Sequence, residues 1–247
     1  MLTGRLVNGM PARATSPAPE SRTAILDAAE DRFARQGFDA TTIKQIAADA
    51  GVNSALLYYY FADKEALYGA VVTRFIGRIV AAVAPSVGGD DTPAERVRAF
   101  ARRQAATFES EPRFRKLLGR ELIDFDARHA QSAFRHLAAT TFARLHASIV
   151  EGQRAGIFRD DLDPRFVAIS LVGQTAYFHF ARPAVEVLLA DGKPLPAGTS
   201  DAFAEHVADF TLAALAPVRT RATASRTSSV TPPKTRVRPK GRRRHGT

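Results

Sequence analysis

The chain has 247 residues, with 35 Lys+Arg against 25 Asp+Glu and a formal net charge of +10. Ten of the basic residues lie beyond Pro217, where no acid occurs, so residues 1–216 carry 25 of each sign and are neutral. The absence of cysteine excludes disulfides, thiolate metal sites and thiol redox chemistry, and 45% hydrophobic residues exclude a wholly disordered chain.

Residues 1–19 are rich in Gly, Pro, Ser and Thr, contain no acid and show little periodicity, which predicts a flexible arm. Arg5, Asn8 and Arg13 interrupt any apolar h-region, so no signal peptide is expected, and Met1 and Met10 both stand as starts. Helical patterning begins near Glu20. Ile25, Ala29 and Phe33 recur at i+4, and Gly37 stops that helix. Thr42 and Gln45 form a capping box for a second helix whose inner side is Ile43, Ile46, Ala47 and Ala50. Gly51 ends it, and a short third helix is expected over Ser54–Tyr60. Asp63 is an N-cap for a long fourth helix. In it Leu67, Val71, Phe75, Ile79 and Val83 form one apolar ladder, and Val72, Ile76 and Val80 a second. Two stripes mean burial on more than one side, as in a helix joining two domains.

After a loop at 86–91, Thr92-Pro93-Ala94-Glu95 starts a helix reaching Phe108. Pro112 opens a short one to Leu118, and a longer one is expected over Arg128–Ala155, ended by Gly156. Asp163-Pro164 opens the next, which Pro183 kinks or ends. A Gly/Pro loop covers 191–199, Ser200 caps a last helix, and Pro217 stops it. No period-two alternation marks a strand, so the fold class is all-α, with nine or ten helices. The longest uncharged apolar run, Phe166–Ala181, is shorter than the ~20 residues of a membrane span and carries Gln174 and His179. A cytoplasmic, nucleoid-associated protein with no membrane partner is expected.

The spacing from Ile43 to Phe61 is that of a helix-turn-helix. Ala47 is small where two helices cross, Gly51 permits a tight turn with positive φ, and Ile46, Ala50, Val52 and Leu57 form the seam. Asn53, Ser54, Ala55, Leu56, Tyr58 and Tyr59 are left on or near the outer side, where a major groove would lie. The pattern extends further. Ile25-Leu26, Ala28-Ala29, Phe33, Gly37-Phe38, Thr41-Thr42-Ile43, Ile46-Ala47, Ala50-Gly51-Val52, Leu57-Tyr58-Tyr59-Tyr60-Phe61, Lys64-Glu65 and Leu67 together resemble the DNA-binding domain of the TetR (tetracycline-repressor type) family of bacterial regulators. The resemblance covers residues 22–67. Ala55 departs from it where the family often has Gly, and Tyr60 where it often has His.

The resemblance implies a helix-turn-helix domain at 20–66 and a helical ligand-binding and dimerisation domain at 67–216; composition adds an arm at 1–19 and a disordered basic tail at 217–247. The resemblance also implies phosphate contacts from Thr42, Tyr58, Tyr59 and Lys64, with Thr42 also readable as a plain cap. Asn53, Ser54, Ala55 and Leu56 then face base edges, Ala and Leu suiting thymine methyls. Tyr58 and Tyr60 are alternatively domain-packing residues, and Tyr60 is read equally as core and as phosphate contact. From Ser21 to Ala66 there are five basic and seven acidic residues, so the head is net acidic, yet Asn53–Tyr60 contains no acid. The head must therefore work by local placement of its groups.

In the second domain Phe75, Phe100, Phe108, Gln174, Tyr177 and Phe178 are candidate pocket residues; for most of the aromatic stretch 177–180 helix–helix core is the preferred reading, with a pocket wall for one or two. Arg120, Glu121, Asp124 and Asp126 suit either a polar ligand or a solvated helix end. His129 and His136 are seven apart, wider than the three or four a metal site on a helix wants, and no catalytic motif stands out. No metal, cofactor or enzymatic activity is expected. In the tail, Arg238-Pro239-Lys240-Gly241-Arg242 resembles an AT-hook with Arg243 in place of the second Pro. A non-specific polyelectrolyte clamp through Arg238, Lys240 and Arg242 is the preferred reading.

The expected function is a homodimeric, ligand-responsive DNA-binding regulator, a repressor released from a near-palindromic double-stranded operator by a small-molecule effector. Pairing is expected through helices near 163–182 and 200–216. The alternatives are an architectural DNA-coating protein dominated by its tail and a helical enzyme with a borrowed head. Deleting 218–247 is expected to flatten the slope of log affinity against log salt and leave operator preference intact, measured by DNA titrations across a salt series. Loss of a preference for AT-rich flanks would instead identify a true hook.

Overall fold

Most helix starts that the sequence marks are made by the residue that marks them. Thr42 accepts from Gln45 N at 3.2 Å while Gln45 Oε1 accepts from Thr42 N at 2.9 Å. Asp63 accepts from Ala66 N at 2.7 Å, Thr92 and Glu95 form a second capping box, and Asp163 accepts from Arg165 N at 2.8 Å. Each bond satisfies a backbone donor that a helix terminus leaves open.

The computed structural model describes residues 19–217; the expected arm and basic tail, with Arg238, Lys240 and Arg242, lie outside them. The helices are α1 Pro19–Gln36, α2 Ile43–Asp49, α3 Ser54–Tyr60, α4 Lys64–Val83, α5 Pro93–Ser110, α6 Pro112–Asp124, α7 Gln131–Leu137, α8 Ala143–Arg154, α9 Pro164–Phe180, α10 Arg182–Ala190 and α11 Thr199–Leu215. A 3-10 turn at Ala84–Val87 follows α4, and a π turn at Ala138–Phe142 joins α7 to α8. No strand occurs among the described residues.

Helix α4 carries both halves of the core. Leu67, Tyr68, Val71 and Val72 are buried in its first half, and Phe75, Ile76, Ile79, Val80 and Val83 in its second. Lys64–Val87 is by length and composition long and apolar enough to cross a bilayer, but half of that stretch is buried inside the protein. Its register against α1 is held by Glu30, a carboxylate 7% exposed. Arg74 Nη2 donates to Glu30 Oε2 at 2.6 Å and Arg78 Nη2 to Oε1 at 3.0 Å, while Arg74 Nη1 reaches Asp27 at 2.8 Å.

Helix α5 packs against α4, α8, α9 and α11 and buries Val97, Phe100, Ala101, Gln104 and Phe108. Arg98 ties α5 to Glu205 and Asp209 of α11 at 2.9 and 2.6 Å. Gly152 lets Phe158 lie flat on α8, since a Cβ there would sit 2.2 Å from the ring.

Four expectations change. Helix α6 runs to Asp124, not Leu118. The long helix begins at Gln131, not Arg128, because Asp126 and Ala127 adopt positive φ (49° and 59°). The fully buried Glu121 fixes that turn by accepting from His129 N at 2.8 Å and Ala130 N at 3.1 Å. It is thus neither a solvated helix end nor a ligand selector. His129, set against metal binding by spacing, instead places Nδ1 3.1 Å from Glu121 and Nε2 3.0 Å from Glu65. Finally Ser200 is not a cap: Gly198, at φ +80°, is the N-cap of α11, and Ser200 Oγ lies 3.3 Å from His179 Nε2 in the interior.

Glu30→Gln removes the charge that two guanidiniums share. It is expected to lower the free energy of unfolding by about 2–3 kcal/mol, measured by urea denaturation.

Candidate nucleic-acid interface and apolar cavity

Helix α2 ends at Ala50, and Gly51 turns the chain at φ +67° with open space around it. Val52 N returns to Ala47 O at 3.0 Å, closing the turn. Ala47, 3% exposed, leaves room for α3 to cross, and Ile46 and Leu57 fill the crossing. Asn53 caps α3 by accepting from Leu56 N at 2.8 Å. Its carbonyl oxygen is therefore engaged, and its amide N–H groups remain for an outside partner.

The outer face of α3 carries Ala55, Tyr58 and Tyr59, with Ser54 and Leu56 half-buried beside them. Tyr58 and Tyr59 are 57% and 66% exposed. Two large aromatics held out in water on a seven-residue helix do no core packing, and their hydroxyls project as donors. Tyr60 is half-buried, its ring edge-on to Tyr59 at 5.2 Å and tilted against Phe61 at 6.4 Å, so it supports the face from behind.

Two predicted phosphate contacts are placed differently. The Thr42 hydroxyl is exposed but sits inside its capping box, 3.1 Å from Gln45 Oε1. The Lys64 ammonium is turned inward and half-buried. It donates to Phe38 O at 3.0 Å and Thr41 O at 3.1 Å, and lies 4.2 Å from the centre of the Phe38 ring. Two carbonyls and a ring face make a better local partner than water, so Lys64 fastens the α1–α2 loop to α4. Arg32 fastens α1 to the end of α2 through Asp49, with Nη2 to Oδ1 at 2.9 Å, and this bond holds the Asp49 carboxyl below the usual carboxylate range.

In the second half, a cavity of about 350 Å³ lies between α4, α5, α6, α7, the π turn and α9. Its wall is almost wholly apolar: Ile76, Phe100, Phe108, Leu118, Phe134 and Val172 are representative. That volume is in the range of small-molecule sites. Of the six pocket candidates, Phe100 and Phe108 line it. Phe75 faces a separate cleft with Arg78 and Arg103. Gln174 faces a groove between α9 and α11 with Phe166 and Phe210, because α9 turns that side outward. Tyr177 is exposed, and Phe178 stacks on Phe203 at 4.2 Å in a small core with Val185 and Leu195. The polar residues of the cavity, Gln104 and Thr141, belong to no sequence motif that marks a site. Gln104 Oε1 accepts from Thr175 Oγ1, whereas Thr141 Oγ1 is buried with no hydrogen-bond partner among the described residues. The π turn that contains Thr141 was equally silent in sequence; such turns are frequent at functional sites.

A sequence profile described as "Bacterial regulatory proteins, tetR family" matches residues 25–71, and one described as "Tetracyclin repressor-like, C-terminal domain" matches 93–210. The chain is similar to the HTH-type transcriptional regulator BetI of Rhizobium meliloti, 29% identical over 145 residues, 59% of this chain and 70% of that one. It is 30% identical over 147 residues to the HTH-type transcriptional repressor NicS of Pseudomonas putida, covering 59% and 69%. Its fold matches that of SmeT, the repressor of the Stenotrophomonas maltophilia multidrug efflux pump SmeDEF, with a TM-score of 0.61 at 24% identity over 81% of this chain and 94% of the other.

Lys64→Met keeps an apolar stem and removes both carbonyl bonds. It is expected to cost about 2 kcal/mol of stability in urea unfolding. Unchanged stability with weaker, less salt-dependent DNA binding would return Lys64 to the phosphates.

Proposed function

The chain belongs to the TetR family of bacterial transcriptional regulators, and from that premise we propose that it is a homodimeric repressor that leaves its operator when a small molecule enters the apolar cavity. The observation that carries the DNA half of this reading is the outer face of α3, with Tyr58 and Tyr59 exposed on an acid-free helix behind a glycine turn. Ser54, Ala55 and Leu56 meet base edges, with the Asn53 amide beside them, and the tyrosine hydroxyls donate to phosphates. Thr42 contributes through the helix end it caps.

Pairing of two copies is supported by α9 and α11. Helix α9 leaves Phe166, Ile169 and Tyr177 largely exposed, and α11 does the same with Phe210. Phe166 and Phe210 line the groove that holds Gln174. Burying such faces against a second copy is the ordinary fate of a large exposed apolar patch. Two heads would then reach successive major-groove half-sites about 34 Å apart.

The effector's leverage comes from α4. Ile76, Ile79 and Val83 line the cavity, and the same helix carries Lys64 and Leu67 into the head. A ligand that repacks the cavity wall biases the position of α4 and so the spacing of the heads. To act it must bind the two arrangements with different affinity, typically by about 1–3 kcal/mol. The basic tail adds sequence-blind attraction.

The test is selection of bound sequences from a random duplex pool by the full chain. An inverted repeat is expected. Binding a scrambled copy of the selected site as tightly as the site itself would favour the DNA-coating alternative. Tyr59→Phe is expected to weaken every sequence alike by about 0.5–1.5 kcal/mol in gel-shift titrations, and unchanged affinity would remove it from the phosphate contacts.

A further inference from the structure

Helix α6 divides two cavities of opposite character. Leu118 and Leu122 face the apolar chamber, while Arg115, Lys116, Gly119 and Ile123 face a cleft of about 430 Å³ on its other side. Phe180 lines both, so its ring is the partition between them. The cleft is also lined by Arg120 and Arg182, with Asp124 as the one carboxylate in its wall.

Not all of that positive charge is free. Arg120 Nη1 donates to Phe33 O at 3.0 Å, and Arg182 is paired with Glu109 at 3.0 Å and Glu186 at 3.1 Å. Arg115 has one long bond, to His179 O at 3.4 Å, and Lys116 has no ion pair among the described residues. Two uncompensated cations thus sit one wall away from an apolar chamber.

Each cavity also contains a buried polar atom lacking a hydrogen bond among the described residues: Thr141 Oγ1 in the chamber and His179 Nδ1 in the cleft. Both residues are at least nine-tenths buried. Such atoms are rare in a finished interior. His179 Nδ1 faces Glu109 Oε2 at 3.6 Å without a hydrogen bond, and an oxygen of a head group in the cleft would satisfy it, whereas a hydrocarbon chain in the chamber makes no use of Thr141 Oγ1. Burial drops the His179 ring to about 4, against the pull of Glu109 and with help from Arg115 and Arg182, so the ring is neutral near pH 7 and offers a hydrogen bond instead of charge.

We infer that the effector is an anionic amphiphile, with a single hydrocarbon chain in the apolar chamber, the chain passing Phe180, and a carboxylate or phosphate head on Arg115 and Lys116. Neither cavity suits the whole of such a molecule, but the pair does. A purely apolar ligand would leave the two cations without a role, and a purely anionic one would leave the chamber empty. This inference rests on the effector reading above and assigns its chemical class.

The probes are hexadecanoate, hexadecanoyl-coenzyme A and hexadecanol, read by displacement of a fluorescent fatty acid from the DNA-free full chain, which contains no tryptophan to interfere. Hexadecanoate is expected to bind, and a shorter homologous chain to bind more weakly by about fourfold per methylene lost. The double variant R115Q/K116Q is expected to weaken hexadecanoate at least tenfold and hexadecanol hardly at all, while A176F, which fills the chamber, weakens both. Tighter binding of the coenzyme A thioester would identify a phosphate-bearing head, and weaker binding a carboxylate, which the thioester lacks. Equal loss of hexadecanol and hexadecanoate in R115Q/K116Q, or no binding of any probe to a protein whose circular dichroism is that of the folded chain, overturns the inference. Release of operator DNA is measured separately. Chain binding without release leaves the ligand class standing and removes the effector reading.

Discussion

The fold depends on α4 being buried on two sides at once. Its first turns belong to the core that supports the helix-turn-helix, and its later turns belong to the core around α5. A helix held by only one of these cores could pivot freely against the other. Here the Glu30 carboxylate, clasped by Arg74 and Arg78, and the Lys64 ammonium, held by two loop carbonyls, pin α4 to the head at positions more than two turns apart. The head therefore follows α4 as a body. On the proposed reading, displacement of the apolar wall that α4 contributes to the cavity would be passed to the head.

Seven acids against five bases looked unfavourable for a DNA-binding head, and the pairing of those acids resolves this. Asp49 is held by Arg32, and Asp31 by Arg35 and Arg113. Glu30 and Asp27 are held by Arg74 and Arg78, and Glu65 by Arg128 and His129. Arg74, Arg78, Arg113 and Arg128 lie outside the head in sequence, so a charge count over residues 21–66 misses them. The exposed pairs among these add little stability. Their effect is on the local potential: five of the seven acids are compensated, and Ser54–Tyr60 is left without a negative neighbour on its own helix.

The parts of the fold legible in sequence were those governed by local chemistry. Capping side chains, positive-φ glycines and apolar ladders act within a few residues, so α1 to α5 could be placed nearly to the residue, and α3 at Ser54–Tyr60. The losses all came from contacts distant in the chain. Glu121 ends the turn before α7 from another helix. Lys64 reaches back more than twenty residues to Phe38 and Thr41. Ser200 prefers His179 to its own backbone. In the candidate cavity the aromatic cluster at 177–180 drew attention that belonged elsewhere. A helix with apolar residues on every side gives no phase from which to tell an inward ring from an outward one. Phe180 faces the cavity, Phe178 a separate core, and Tyr177 solvent.

Helix α6 then completes the physical account of coupling. Its apolar side closes the chamber, Arg120 reaches Phe33 O at the end of α1, and Glu121 holds the start of α7 beside Glu65 and Tyr68 of α4. Burial beside the Glu121 carboxylate raises the Tyr68 phenol above its ordinary range, so this junction stays a neutral ring packed on a buried anion. On the proposed reading, a molecule that spreads α6 from α9 would act on the head by two routes, through α4 and through the Arg120 bond to α1. Because both routes end on α1 and its contacts, α3 would be repositioned without being touched.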